Sequence, residues 1–174
     1  MGLLNSSDRQ ICLFGEMDID SFTTFYNEFK ELMKSQEEIT VVINSEGGKE
    51  EIAFAIYDLL RYSPNRITTI CLGEASSMAA LVFQAGIKRI MTPNSRFMMH
   101  WGQWEMESKH MQQRTMVNLG RESLKTTMHY ADLLSKHSFQ SLDLVLKWMD
   151  DEKVFTAQEA VEHGFADEVS NELY

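Results

Sequence analysis

The strongest constraint on the fold is an alternation of short apolar runs with segments whose apolar residues recur at helical spacing. Ile11–Phe14 and Ile39–Ile43 are apolar runs rich in β-branched residues, and Ile19–Met33 between them has the helical period. The helical period returns in Ile52–Leu60, and Ile67–Leu72 is the next apolar run. This order predicts an α/β fold with a mostly parallel sheet covered by helices on both faces.

The next segments continue the pattern. We expect a third helix over Ser77–Ala85, ended by Gly86 in a left-handed C-cap, and then strands at Arg89–Met91 and Arg96–Met99. Near the end, Thr156 and Glu159 have the spacing of a capping box that opens a short helix. The sheet and its helices should form one domain over residues 1–174.

The stretch from Glu105 to His137 lacks a strand signal and reads as one long, partly exposed helix. Its apolar stripe is separated by many polar residues and comprises Met111, Leu119, Met128, Leu133 and Leu134. A second subunit could cover this stripe, which we favour, or the helix could pack back on the sheet.

Composition and charge exclude several classes of function. A net charge of −10 without a basic stripe argues against nucleic-acid binding. Apolar runs such as Met78–Phe83 are too short to cross a membrane, and Met1–Asp8 has no secretion signal, so we expect a cytoplasmic protein. Cys12 and Cys71 fall in predicted strands and are expected to be buried free thiols.

Two strand-to-helix junctions carry residues suited to chemistry. Gly47 and Gly48 follow a buried strand, where their N–H groups form either a tight turn or part of a site at the carboxyl edge of the sheet. Ser76 and Ser77 follow the next strand, among small residues. One of these hydroxyls could simply cap the helix, or Ser77 could be a nucleophile that needs a base.

His100 ends a predicted strand at the same edge and is the candidate base. The other histidines lack the i, i+3 or i, i+4 pairing of a metal site, and we expect neither metal nor cofactor; they are His110, His129, His137 and His163. The order serine, histidine, acid and the absence of G-x-S-x-G disfavour an α/β-hydrolase. Candidate acids are Asp150, Asp151 and Glu152, although such a charge run is often a solvated face.

Three blocks of sequence resemble the signature of the Clp protease (ClpP) family, in the family's order. They are Ile43–Gly48 (INSEGG), Gly73–Met78 (GEASSM) and Pro93–His100 (PNSRFMMH). The similarity covers nearly everything after Arg9. It implies a ClpP/crotonase-like fold of repeated β-β-α units, with a head at 9–104 and 138–174 and a protruding handle helix at about 105–137.

The resemblance also implies a serine endopeptidase that needs no cofactor. Ser77 would be the nucleophile and His100 the base, with the N–H groups of Gly48 and Met78 as the oxyanion hole. Glu152 stands where the family has its aspartate, and we favour it as the third triad member over Asp151.

Further implications concern assembly. The family stacks two seven-membered rings around a chamber, cleaves peptides or unfolded proteins there, and works with an AAA+ unfoldase. Asp151 stands where many members have an arginine that pairs across the rings, so a heptameric ring is expected and a double ring is left open. Two alternatives remain: a catalytically silent scaffold subunit, and an acyl-CoA enzyme of the crotonase type.

Overall fold

The structure is a computed structural model that describes residues 9–102 and 112–172. Seven strands and six helices are described, in the order β1 Gln10–Met17, α1 Ile19–Leu32, β2 Ile39–Gly48, α2 Glu50–Arg61, β3 Ile67–Ser76, α3 Met78–Phe83, β4 Lys88–Met91, β5 Arg96–Met98, α4 Gln113–Ser138, α5 Leu142–Asp150, β6 Val154–Thr156, α6 Ala157–Glu162 and β7 Glu168–Val169. The predicted α/β class with a mostly parallel sheet is confirmed.

The sheet has the strand order β1-β2-β3-β4-β7, with every neighbouring pair parallel. The long strands β1 and β2 pass through register shifts, so each contributes two segments. In β3, the first segment pairs with β4 and the second pairs with β5, which in turn pairs antiparallel with β6. Two strand segments precede each of α1, α2 and α3, which agrees with the predicted β-β-α units.

The main core lies between one face of this sheet and the helices. It includes the largest fully buried side chains, which are mostly aromatic or branched: Phe25, Phe29, Phe83, Phe97, Phe155, Phe165, Ile11, Met17, Ile39, Ile43, Ile56 and Leu60. The amphipathic helices α1 and α2 begin with acidic first turns, and Asp18 and Ser21 form a capping box at the start of α1. The predicted capping box of Thr156 and Glu159 opens α6.

The opposite sheet face is less covered than predicted. A small buried cluster of Val42, Ile70 and Ile90 lies there, but Phe14 is 53% exposed. Cys12, in register with Val42, is exposed as well, so the prediction of a buried thiol is wrong for this residue. Apolar runs alone do not distinguish a strand face covered by a helix from one left partly open.

Gly86 also acts differently from the prediction. Helix α3 already ends at Phe83 with Gln84 as its C-cap, and Gly86 is absent from the described glycines with positive φ. A Cβ on Gly86 would stand 2.4 Å from Thr69 Oγ1. Glycine is needed there for close packing against β3, not for a left-handed cap.

Helix α4 forms the predicted handle as far as the structure describes it. Residues 103–111, including the stripe residue Met111, lie outside the described part. Its second half is anchored by buried residues such as Tyr130, Ala131 and Leu134. In its first half, Met116, Val117 and Leu124 are about half exposed, at 47%, 47% and 52%. None of the helices in the described part of the chain is both long and apolar enough to cross a membrane.

Candidate active site

Neighbouring strands bring the candidate residues to one edge of the sheet. Ser45 in β2 pairs with Ala75 in β3, and Ser76 in β3 pairs with Met98 in β5. The segments that follow these three strands therefore meet at the carboxyl end of the sheet, where α/β folds build their sites. Gly48, Ser77 and His100 are the residues that these segments carry.

Ser77 and His100 form a hydrogen-bonded pair. The Ser77 Oγ lies 2.8 Å from His100 Nε2. The Ser77 side chain makes no capping hydrogen bond to α3, and the neighbouring Ser76 hydroxyl donates to a carboxylate oxygen of Glu74 at 2.8 Å. Helix capping therefore does not account for either serine hydroxyl. The Ser77 hydroxyl instead has a general base, His100, beside it.

The backbone of Ser77 is held in an unusual conformation. Its φ of 54° and ψ of −127° lie in a region that residues other than glycine rarely adopt. Its N–H donates to the Met98 carbonyl at 2.9 Å, and its carbonyl accepts from the Tyr130 hydroxyl at 2.9 Å. These two bonds stabilise a sharp strand-to-helix turn that presents the Ser77 side chain to His100.

Tyr130 is a site residue that sequence reasoning missed. It is buried in α4, 53 positions from Ser77, and burial raises the pKa of its phenol, which keeps the hydroxyl protonated as a donor. The sequence around a tyrosine in a helix does not indicate that its hydroxyl will bind a residue so far away in the chain. Only the docking of α4 against α3 brings the two residues together.

Both glycines of the pair are required by close contacts. Gly47 has a φ of 108°, and a Cβ there would stand 2.8 Å from Ser77 Cβ. Gly48 has a φ of 147°, and its Cβ would stand 2.4 Å from the Met17 carbonyl oxygen. The pair is thus part of the site's framework and more than a tight turn.

Two side chains of β2 fix the glycine segment. Ser45 Oγ donates to the Gly15 carbonyl at 2.6 Å and accepts from the Gly47 N–H at 3.0 Å. Asn44 Oδ1 accepts from the Glu74 N–H at 3.2 Å, which links the two site-forming junctions. The position of the glycines relative to Ser77 is therefore held by two buried or half-buried hydrogen bonds of Ser45 and by an exposed one of Asn44.

Gly48 and Met78 both line the cavity in front of Ser77. Met78 is the first residue of α3, so its N–H has no acceptor within the helix. An amide at this position is free to bind a developing negative charge, and the helix dipole favours that charge. The oxyanion-hole role of these two residues stays a prediction with a suitable location.

The acid candidates lie around the end of α5. Glu152 is exposed, has a φ of 45°, and its N–H donates to the Met149 carbonyl at 3.2 Å. Asp150 Oδ1 accepts from the Trp101 indole N–H at 2.6 Å, next to His100 in the chain. Within residues 9–102 and 112–172, no described hydrogen bond joins His100 to Glu152 or Asp151. The structure brings the predicted nucleophile and base together, but not the acid.

A cavity of about 720 Å³ opens beside Ser77 and His100. Its opposite wall comes from the start of α2 and from α4. This volume falls in the ordinary range of a ligand-binding cleft. A nucleophile and a base that face one cleft beside the start of a helix are an arrangement suited to acyl transfer.

Comparisons with known proteins agree with this geometry. The family model described as Clp protease matches residues 3–172. Relatives include the ATP-dependent Clp protease proteolytic subunit 1 of Thermobifida fusca (strain YX), 33% identical over 141 residues that make up 80% of this chain and 63% of the relative. Subunit 2 of the same organism is 35% identical over 136 residues, 77% of this chain and 66% of the relative.

A third relative, the ATP-dependent Clp protease proteolytic subunit 4 of Streptomyces avermitilis, is 32% identical over 141 residues, 80% of this chain and 62% of the relative. The chain spans slightly less than two thirds of the length of these three relatives. The family match covers nearly the whole chain and includes both strand-to-helix junctions and His100. The chain belongs to the Clp protease family.

Proposed function

We propose that this protein is a serine endopeptidase that hydrolyses peptide bonds in peptides or unfolded proteins. The observation that carries the proposal is the 2.8 Å contact between Ser77 Oγ and His100 Nε2 at the edge of a cavity, in a chain of the Clp protease family. The names of the relatives, all proteolytic subunits of ATP-dependent Clp proteases, support the same activity.

The reaction follows from the roles of the groups. Ser77 Oγ attacks the peptide carbonyl carbon while His100 Nε2 takes the hydroxyl proton. The carbonyl oxygen becomes an oxyanion, and the N–H groups of Gly48 and Met78 bind it. His100 then gives its proton to the leaving amine as the C–N bond breaks. Water, deprotonated by His100, finally hydrolyses the acyl-enzyme and restores Ser77.

Glu152 completes the proposed triad. Its carboxylate would hold the His100 imidazole in the correct tautomer and stabilise the imidazolium that forms during attack. Glutamate is longer than the family's aspartate by one methylene group, so it can reach the imidazole from a different backbone position. In the described residues the exposed Glu152 side chain makes no hydrogen bond to His100, so it would have to move for that contact to form.

Assembly is part of the proposal. The apolar side chains of Met116, Val117 and Leu124 in α4 are only about half covered within the described chain, and contact with the handle of another subunit would bury them further. We expect a heptameric ring, with a second ring in doubt because of Asp151. We also propose that the partner is a Clp-type ATPase of the AAA+ class and that the protein is located in the cytoplasm.

The test is hydrolysis of fluorogenic peptides by the assembled protein and by single variants. Ser77→Ala and His100→Ala should each abolish cleavage while leaving assembly unchanged, since each removes one reacting group. Ser76→Ala is the matched control and should retain cleavage, because its hydroxyl bonds to Glu74. Full activity of Ser77→Ala would refute the proposed nucleophile.

A silent scaffold subunit is the second candidate, favoured by the missing contact between His100 and an acid in the described residues. Such a subunit would assemble but cleave none of the peptides, alone or with the ATPase partner. The retained Ser77 and His100 pair argues for activity.

A further inference from the structure

The wall of the cavity that faces Ser77 and His100 is acidic. Among the residues that the structure describes, three glutamates line it, Glu46, Glu50 and Glu51, against a single lysine, Lys49. In the described residues, none of the three glutamates forms an ion pair with a lysine or an arginine of the chain. The cavity therefore presents uncompensated negative charge beside the reacting groups, and such a charge attracts cations into a cleft with low-dielectric walls.

Glu50 differs from the other two glutamates in its burial. It is half-buried, whereas Glu46 and Glu51 are exposed. Its Oε1 lies only 3.1 Å from where a Cβ would stand on Gly102, so the absence of a side chain at Gly102 gives the carboxylate its space. Burying a carboxylate is unfavourable unless a cation or hydrogen-bond donors compensate it.

The position of Glu50 in the first turn of α2 offers a simpler explanation, because acidic residues stabilise helix N-termini. The exposed Glu51 already satisfies that role without any loss of hydration. Burial, followed by the nearby Glu51 charge, raises the pKa of Glu50, so the ionised carboxylate is less favourable there than in an exposed glutamate. A cation that arrives with the substrate would supply the missing compensation.

We propose that this cavity selects substrates with a lysine or arginine side chain next to the scissile bond, with Glu50 as the main specificity-determining residue. The inference rests on the proposed peptidase function and adds the substrate class to it. The alkyl stem of the basic side chain would pack against Met78 and Tyr130, and its charged end would reach Glu50. An apolar side chain of equal length would leave the half-buried carboxylate without a partner.

A second cavity of about 390 Å³ extends the acidic wall along α2 and α4 and shares Glu50 and Glu51. It also contains Lys125 and His129. The Lys125 ammonium is already paired with Glu122 at 2.7 Å, which reduces its repulsion of a basic substrate. Glu50 and Glu51 thus border both cavities.

The experiment uses two fluorogenic peptides that differ only in lysine or norleucine before the scissile bond, with cleavage positions mapped by mass spectrometry. Wild-type protein should cleave the lysine peptide with kcat/KM higher by about tenfold, the effect expected of one partly desolvated charged contact. The ratio should fall as salt is added, because ions screen the attraction. It should also fall at acidic pH, since Glu50 takes up a proton at a higher pH than an exposed glutamate.

Glu50→Gln should reduce the lysine-to-norleucine ratio to near one through loss on the lysine peptide. The matched control is Glu28→Gln, an exposed glutamate of α1 outside the cavity, which should leave both rates unchanged. A wild-type ratio of one or less, or a ratio that Glu50→Gln does not alter, would overturn this inference while leaving the peptidase activity intact. Failure to cleave either peptide, with no serine-probe adduct on Ser77, would instead overturn the proposed function on which it rests.

Discussion

The hydroxyl of Tyr130 donates a hydrogen bond of 2.9 Å to the main-chain carbonyl of Ser77. This contact joins the buried half of α4 to the strained turn that carries the proposed nucleophile. It makes the long helix a structural support of the site in addition to a proposed contact between subunits. The position of the Ser77 hydroxyl thus depends on how α4 docks against the sheet.

Tyr130→Phe tests this support, since it removes only the hydroxyl. The Ser77 carbonyl would lose its buried hydrogen-bond donor, so we expect the free energy of unfolding to fall by about 1–2 kcal/mol. We also expect kcat to fall by about tenfold, because a small displacement of a reacting group is costly to catalysis, while KM changes less. Urea denaturation and peptide kinetics measure the two effects.

The matched control for this variant is Tyr57→Phe. The Tyr57 hydroxyl is 2.7 Å from His137 Nε2, outside the Ser77 cavity. Its loss should reduce stability to a similar degree without a change in kcat. Equal losses of kcat in the two variants would show that Tyr130 has only a general structural role.

Gly47→Ala should damage the site through its Cβ. The φ of 108° is unfavourable for alanine, and the new methyl group would stand 2.8 Å from Ser77 Cβ and 2.9 Å from the Ser76 carbonyl oxygen. We expect a loss of about 2–5 kcal/mol in stability and near-complete loss of peptide cleavage. Thermal denaturation and fluorogenic assays provide the measurements.

Gly120→Ala is the opposite case and serves as its control. Gly120 lies within α4, with no atom inside 4 Å of where its Cβ would be placed. Alanine there should stabilise the helix by about 1 kcal/mol in thermal denaturation. Because position 120 lies on the same helix face as Met116 and Leu124, this variant is a control for stability and not for cleavage. A Gly47→Ala protein that cleaves as fast as wild type would show that the close approach to Ser77 is unimportant.

The acid assignment can be resolved by amide substitutions at three successive positions. If Glu152 orients His100, Glu152→Gln should lower kcat by at least about tenfold, with little change in KM. Asp151→Asn should retain activity. Asp150→Asn should retain it as well, because the asparagine amide oxygen can still accept the hydrogen bond from the Trp101 indole N–H. A large loss in Asp151→Asn together with full activity in Glu152→Gln would transfer the role to the neighbour.

Stability should fall in mild acid because of His137. Burial, with help from the Arg61 and Arg89 charges, lowers the pKa of His137 to about 4, whereas an unfolded histidine titrates near 6.5. Between these values the unfolded chain binds the proton and the folded chain does not, so the free energy of unfolding decreases as pH falls from 6.5 towards 4. Its facing groups include Tyr57, whose hydroxyl contacts its ring, and Arg89, which is paired with Asp167.

Denaturation of wild type and His137→Gln at pH 7.0 and pH 4.5 measures this contribution. Glutamine does not titrate, so the variant should lose less stability than wild type over that interval. Identical losses in both proteins would assign the acid sensitivity to other groups.

The sequence predicted much of the fold because the relevant signals were local. Apolar runs located β1, β2 and β3, and the capping-box spacing of Thr156 and Glu159 located the start of α6. The prediction failed where long-range packing decided the outcome. Gly86 is needed beside Thr69, and Cys12 lies on a sheet face that apolar runs could not identify as partly open.

In the candidate site, too, some residues were predictable from local sequence signals and others only from long-range packing. Ser77 and His100 could be paired from sequence, because each follows a strand and parallel strands end at one edge of a sheet. Tyr130 could not, because its contact with Ser77 depends on the docking of a helix far along the chain. The acidic wall was equally hidden, since Glu50 at a helix start gives no sign that it borders a cavity.

The central claim is that Ser77 is a nucleophile activated by His100. The most direct measurement is reaction of the assembled protein with a fluorophosphonate serine probe, followed by peptide mass spectrometry. We predict one adduct, on Ser77, that is lost in Ser77→Ala and strongly slowed in His100→Ala but formed normally in Ser76→Ala. Absence of an adduct on Ser77 in the assembled wild-type protein would contradict the claim.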